Sequence, residues 1–91
     1  MRESADVVAI RALGWLVGND ELLPVFLGAT GASEADLRSR ADDPVFLASV
    51  LDFLLMDDAW VIAFCTGANL PGEALMQARA GLPGGADPHW T

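Results

Sequence analysis

Apolar residues along this chain recur at intervals of three and four rather than in alternation, the spacing that lines one face of an α-helix. A first helix is predicted from Ser4, its N-cap, to Val17; Val8, Ala12, Trp15 and Leu16 share a face and Gly18 ends it. Asn19 or Asp20 caps a short second helix, with Pro24 in or near the first turn, where a missing N–H does least harm. Leu22, Leu23, Phe26 and Leu27 supply its apolar side, and Gly31 suits a left-handed exit. Ser33-Glu34-Ala35-Asp36 has the form of a capping box and starts a third, more polar helix through Leu37 that must stop before Pro44. Asp43-Pro44, a carboxylate cap followed by proline at the first helical position, opens a fourth helix running to Met56. Asp57 and Asp58 begin a fifth, from Ala59 to about Thr66; Pro71 opens a sixth through Leu75, Met76 and Arg79, and Gly81 closes it. The fourth and fifth are apolar almost all round, as helices at the centre of a domain are. No window alternates as a strand does. The expected fold is all-α, a compact bundle of five or six short helices.

Displacing the chain against itself by 38 residues exposes an internal repeat. Val7, Leu13, Leu16, Asp20, Phe26 and Leu37 fall on Val45, Leu51, Leu54, Asp58, Phe64 and Leu75. Trp15 falls on Phe53, Val17 on Leu55, Asn19 on Asp57 and Leu23 on Val61; Gly31 meets Asn69, the two residue types that tolerate a left-handed helix exit. The identities sit on core positions and a cap, which is where a structural repeat keeps them. The expected organisation is one helical domain over residues 1–82, built from two related three-helix halves, 7–41 and 45–79, that bury their apolar faces against each other. Residues 83–91, rich in Gly and Pro, form the expected flexible tail.

Composition adds a constraint. Of 91 residues, 53% are hydrophobic, yet a chain this short buries only about 60–65% of its unfolded surface, so the apolar half does not fit wholly inside. Thirteen acids stand against five bases, all Arg, for a net charge of −8. Nucleic-acid affinity depends on neutralising phosphates, so nucleic acid is excluded as a partner. A single cysteine, Cys65, leaves no internal disulfide to form, and the longest apolar run, Ala59 to Cys65, is far short of a membrane span. The apolar stretch near the N-terminus is broken by Arg11 and lacks the cleavage site of a signal peptide. A soluble cytoplasmic protein, with no membrane contact, is the expectation.

The run Val50-Leu51-Asp52-Phe53-Leu54-Leu55-Met56-Asp57-Asp58, followed by Phe64 and Leu70-Pro71, resembles a small bacterial all-helical family, domain of unknown function number 3572. Phe26-Leu27-Gly28-Ala29-Thr30-Gly31 with Asp36-Leu37-Arg38 carries the same resemblance, which covers about residues 5 to 82. These motifs are caps and core positions. What the resemblance implies is therefore a helical fold, and it brings no reaction, cofactor or catalytic residue with it.

Candidate chemistry is sparse. Cys65 lies towards the C-terminal end of an apolar helix, without the cation or helix N-terminus that activates a thiol, and reads as a buried structural residue. His89, beside Trp90, falls in the expected tail, where nothing holds a general base in place. Asp42-Asp43 and Asp57-Asp58 stand immediately before helices, lack calcium-loop spacing, and read as caps. Asp52 is the unusual residue: it sits in mid-helix among apolar neighbours, where it must reach water, an arginine or free helix N–H groups, with Arg11 or Arg38 the leading expectation. Trp15, Trp60 and Phe53 are expected in the core, and any of them at the surface would be a binding anchor.

These residues assemble no catalytic or metal site and imply no cofactor. They point to a non-enzymatic protein–protein interaction or regulatory module, with a protein partner or a second copy of the chain as its target. The alternative is a small-ligand binder or enzyme using a cavity between the two halves, with Asp52 as its polar group.

Overall fold

Helix starts are set by short polar side chains that take up the N–H groups a helix leaves unpaired at its beginning. The computed structural model describes residues 4–82, and the proposed tail, with His89 and Trp90, lies outside them. Six helices follow one another: α1 (Ala5–Val17), α2 (Leu23–Thr30), α3 (Glu34–Ser39), α4 (Pro44–Leu54), α5 (Asp58–Ala68) and α6 (Ala74–Ala80). The described residues contain no strand. Ser4 caps α1 by accepting from the Val7 N–H. Asp43 accepts from Val45 at 3.0 Å and Asp57 from Ala59 at 2.8 Å, so both acid pairs supply a helix cap. At α3 the capping box is reciprocal, Ser33 Oγ accepting from Asp36 N–H and Asp36 Oδ2 from Ser33 N–H.

Three boundaries differ from the sequence expectation, each for a local reason. Asn19 Oδ1 accepts from the N–H groups of both Glu21 and Leu22, which makes a turn ahead of α2 rather than its cap, and the helix proper begins at Leu23. α4 stops at Leu54, two residues before Met56, because the Met56 N–H bends back to Phe53 at 3.2 Å and frees Asp57 to cap α5. α6 begins at Ala74; Pro71, Gly72 and Glu73 form a turn closed by the Ala74 N–H to the Pro71 carbonyl at 3.0 Å.

α4 is the centre. Phe46, Leu47, Ala48, Val50, Leu51, Phe53 and Leu54 are all buried, and α1 and α6 pack against it and against each other. Phe26 of α2 inserts edge-on between Phe46 and Phe53, with ring centroids 6.1 and 5.3 Å away. The end of α6 meets the start of α1 so closely that a Cβ on Gly81 would lie 3.1 Å from that of Ala5. A radius of gyration of 12.5 Å matches the ~12 Å of a folded chain this size.

α5 corrects the sequence reading. It was expected beside α4 in the interior, but only Phe64 and Cys65 are buried, and Ile62 stands 63% exposed. Apart from Ile62 and the polar Asp58, the outward residues, Ala59, Ala63, Thr66 and Gly67, are small. Exposing them forfeits little area, so nothing forces that face inward.

Candidate functional site

Asp52 lies on the outer side of α4, between the buried Leu51 and Phe53, and its side chain is 56% exposed. Its partner is Arg79, not Arg11 or Arg38. From the last turn of α6, Arg79 places Nε 2.5 Å from Oδ1 and Nη2 3.1 Å from Oδ2, a two-pronged pair that ties α6 to α4. Asp52 thus reaches water and an arginine together, the arginine being Arg79. Arg79 was out of reach of sequence reasoning because 27 residues separate the two and no local periodicity links them.

Arg11 serves another helix. It lies on α1, and its Nη2 donates to the Ala68 carbonyl at 2.7 Å, at the C-terminal end of α5. That end carries the negative pole of the helix and carbonyls with no intrahelical partner.

Trp15 and Trp60 are half-buried rather than core, while Phe53 is 4% exposed. Trp15 stands edge-on to Phe64, with centroids 6.0 Å apart and planes at 73°. Trp60 stacks on Phe53 at 4.8 Å and 22°. Trp15 thus meets a buried ring edge-on and Trp60 lies flat on one, and both remain partly at the surface, as large aromatics commonly do. The structure does not bring Asp52, Trp15 and Trp60 into one constellation: they belong to an ion pair and two separate aromatic pairs.

Cys65 is 3% exposed. Burial pushes its thiol above the ordinary value of 9.0; a backbone hydrogen bond with Leu75 opposes the rise, and the Glu73 carboxylate adds to it. Among the described residues no three His, Cys, Asp or Glu side chains gather to hold a metal ion.

Two surface features remain. Val7, Ile10, Gly14 and Val17 form a stripe along α1, at the spacing of one helical face, and the three side chains are 45%, 48% and 44% exposed. A cavity of about 240 Å3 opens at the C-terminal end of α2, lined by Thr30, Gly31, Asp36, Arg40, Phe46 and Ser49 among others. Neither was singled out in the sequence; the stripe could have been found by asking which face of α1 lies opposite Val8, Ala12 and Leu16.

Fold and surface together define a small, acidic, all-α domain of six short helices with α4 at its centre, an outward apolar stripe and one polar cavity described. No helix among the described residues is long and apolar enough to cross a membrane. The chain belongs to the family described as Protein of unknown function (DUF3572), whose pattern matches residues 2–85. No curated protein and no solved structure matches it.

Proposed function

We propose that this is a non-enzymatic interaction module of the cytoplasm, a scaffold of two related three-helix halves that binds a protein partner or a second copy of itself. The observation that carries the reading is the apolar stripe of α1. Val7, Ile10 and Val17 leave nearly half of each side chain in water on a domain whose neighbouring positions Val8, Ala9, Ala12, Leu13 and Leu16 are buried. Side chains that a fold exposes in a row, rather than singly, are what a partner surface covers. The smallness of Gly14 between them would let another helix approach closely. A net charge of −8 favours a basic partner and disfavours nucleic acid.

The relation between halves draws support from a reciprocal pattern. Trp15 of the first half meets Phe64 of the second, and their counterparts 38 residues away, Phe53 and Phe26, meet in the same edge-on way, at 73° and 76°. Such exchange of partners is what a two-fold relation between α1–α2 and α4–α5 would produce; the third helices do not share it, since α6 packs on α1 and α4 while α3 buries no residue. The alternative reading, a ligand cavity around Asp52, has little in its favour: Asp52 is ion-paired at the surface and is not among the residues lining the cavity.

Ile10→Glu tests the reading. The variant is expected to keep the helical circular dichroism and melting temperature of the parent, because the position is exposed. It is expected to lose self-association in sedimentation, or to lose a partner that the parent retains from native extract. A parent that is strictly monomeric and retains nothing would sink the proposal.

A further inference from the structure

Two helix ends 38 residues apart are finished differently. At the end of α5, Asn69 turns left-handed and the Arg11 guanidinium closes on the Ala68 carbonyl. At the end of α2, Gly31 takes the same left-handed turn, with φ of 76°, and Thr30 stands where Ala68 does. The residue corresponding to Arg11 is Ser49 of α4, and it is too short to reach across. Its hydroxyl donates instead to the Phe46 carbonyl of its own helix at 2.6 Å. Where the arginine side chain would run lies the cavity of about 240 Å3, with Thr30, Gly31 and Ser49 all in its wall. At ~30 Å3 per water that is room for about eight waters, of the order of an arginine side chain.

The geometry points to a guanidinium pocket: the cavity at the end of α2 receives an arginine side chain from a partner protein, as the end of α5 receives Arg11 of the chain itself. The inference rests on the interaction-module reading for its source of arginine, although the pocket is distinct from the α1 stripe. Its chemistry suits a cation. The Gly31 N–H closes on Leu27, which leaves the last carbonyls of α2 to outside donors at the negative pole of the helix. Asp36 adds a carboxylate in the wall. The one cation in its wall, Arg40, turns to Asp43 at 3.3 Å and lies over the Phe46 ring at 5.1 Å. A planar guanidinium can donate to several carbonyls and a carboxylate at once, whereas an ammonium is a compact, strongly hydrated point charge. The −8 charge of the chain draws either one in.

The test is a titration of the isotopically labelled full chain with N-acetyl-arginine amide, its lysine analogue and its uncharged citrulline analogue, followed by amide resonances. The arginine compound is expected to give saturable shifts in the ~1–10 mM range, confined to Thr30, Gly31, Ala32, Asp36 and Ser49, as suits so small a ligand. The lysine analogue is expected to bind about tenfold more weakly, and the citrulline analogue not at all. Ser49→Arg, which supplies the missing side chain from within, is expected to abolish the shifts and to melt no lower than the parent. No localised shift at ~50 mM, a range that reaches the weakest specific binding of such a ligand, overturns the pocket. Equal binding of lysine or citrulline overturns its chemistry. Ile10→Glu should bind the arginine compound as the parent does, so failure of the α1 stripe and failure of this pocket are read separately.

Discussion

Single residues in this protein are placed by backbone geometry more than by chemistry. Gly31 and Asn69 end α2 and α5 with positive φ, 76° and 59°, a region that costs an ordinary side chain roughly 1 kcal/mol. Gly31→Ala should therefore lower stability by about 1 kcal/mol, and Asn69→Gly should leave it unchanged or raise it slightly; chemical denaturation of the two variants measures both. Cys65 shows the opposite case, a reactive type made inert by its surroundings. Its thiol binds the proton more tightly folded than unfolded, so the unfolded chain ionises first as pH rises. Stability is thus full below the ordinary thiol value of 9.0 and falls as pH climbs from there towards the raised native value. Cys65→Ala should remove that alkaline decline, and disulfide reagents should modify native Cys65 only as fast as the protein opens. Rapid labelling of the folded protein would contradict the burial. At Asp52 the stakes are small: an ion pair whose carboxylate is more than half exposed contributes at most ~1 kcal/mol, and Asp52→Asn should show no greater loss.

At the scale of elements, the caps were legible and the exposures were not. Ser4, Ser33, Asp43 and Asp57 each accept a backbone N–H where the chain announces a start, because a cap needs only a short polar side chain and its next three residues. Asp43→Ala and Asp57→Ala should each cost ~1 kcal/mol, read as a shift in denaturation midpoint with unchanged slope. Helix α4 was equally legible, since buried apolar residues cover most of its axis, all but the outer strip of Val45, Ser49 and Asp52, and only a central position buries so many. α5 has nearly the same composition and a different fate. Side-chain size goes most of the way to separating the two: α4 buries seven residues, Phe and Leu prominent among them, while α5 turns Ala, Thr and Gly outward together with a single large side chain, Ile62. A count of apolar residues weighs Ala63 as it weighs Phe64, although the area at stake differs severalfold. The ion pair of Asp52 with Arg79 and the reach of Arg11 to Ala68 were illegible for a different reason. Both join elements far apart in sequence, and which helices meet is decided by packing, not by spacing.

For the whole molecule, the apolar surplus and the acidic charge pull in opposite directions. Part of the surplus is core: the rings of Phe26, Phe46 and Phe53 interlock with α4 at the centre, and the loss of one, as in Phe26→Ala, is worth ~3–5 kcal/mol. The rest is on the outside, in Val7, Ile10 and Val17 in a row on α1, and singly in Val25, Val45, Met56, Ile62 and Met76. An exposed apolar surface favours association, while thirteen acids against five arginines oppose the approach of like-charged molecules. The same charge strains the fold. Compacting a net −8 raises its self-repulsion, and the described pairs that offset it locally, Arg79 with Asp52 and Arg40 with Asp43, are exposed. Salt screens both effects, with a Debye length of ~30 Å at 0.01 M and ~10 Å at 0.1 M. Because the repulsion is summed over the whole molecule and the pairs are contacts, the repulsion loses more. The melting temperature should therefore rise between low and moderate salt, by about 4–8 °C if screening recovers ~1 kcal/mol. A fall over that range would mean that the two arginine pairs outweigh the net charge, and that the acidic surface is organised to hold this fold together rather than to wait for a basic partner.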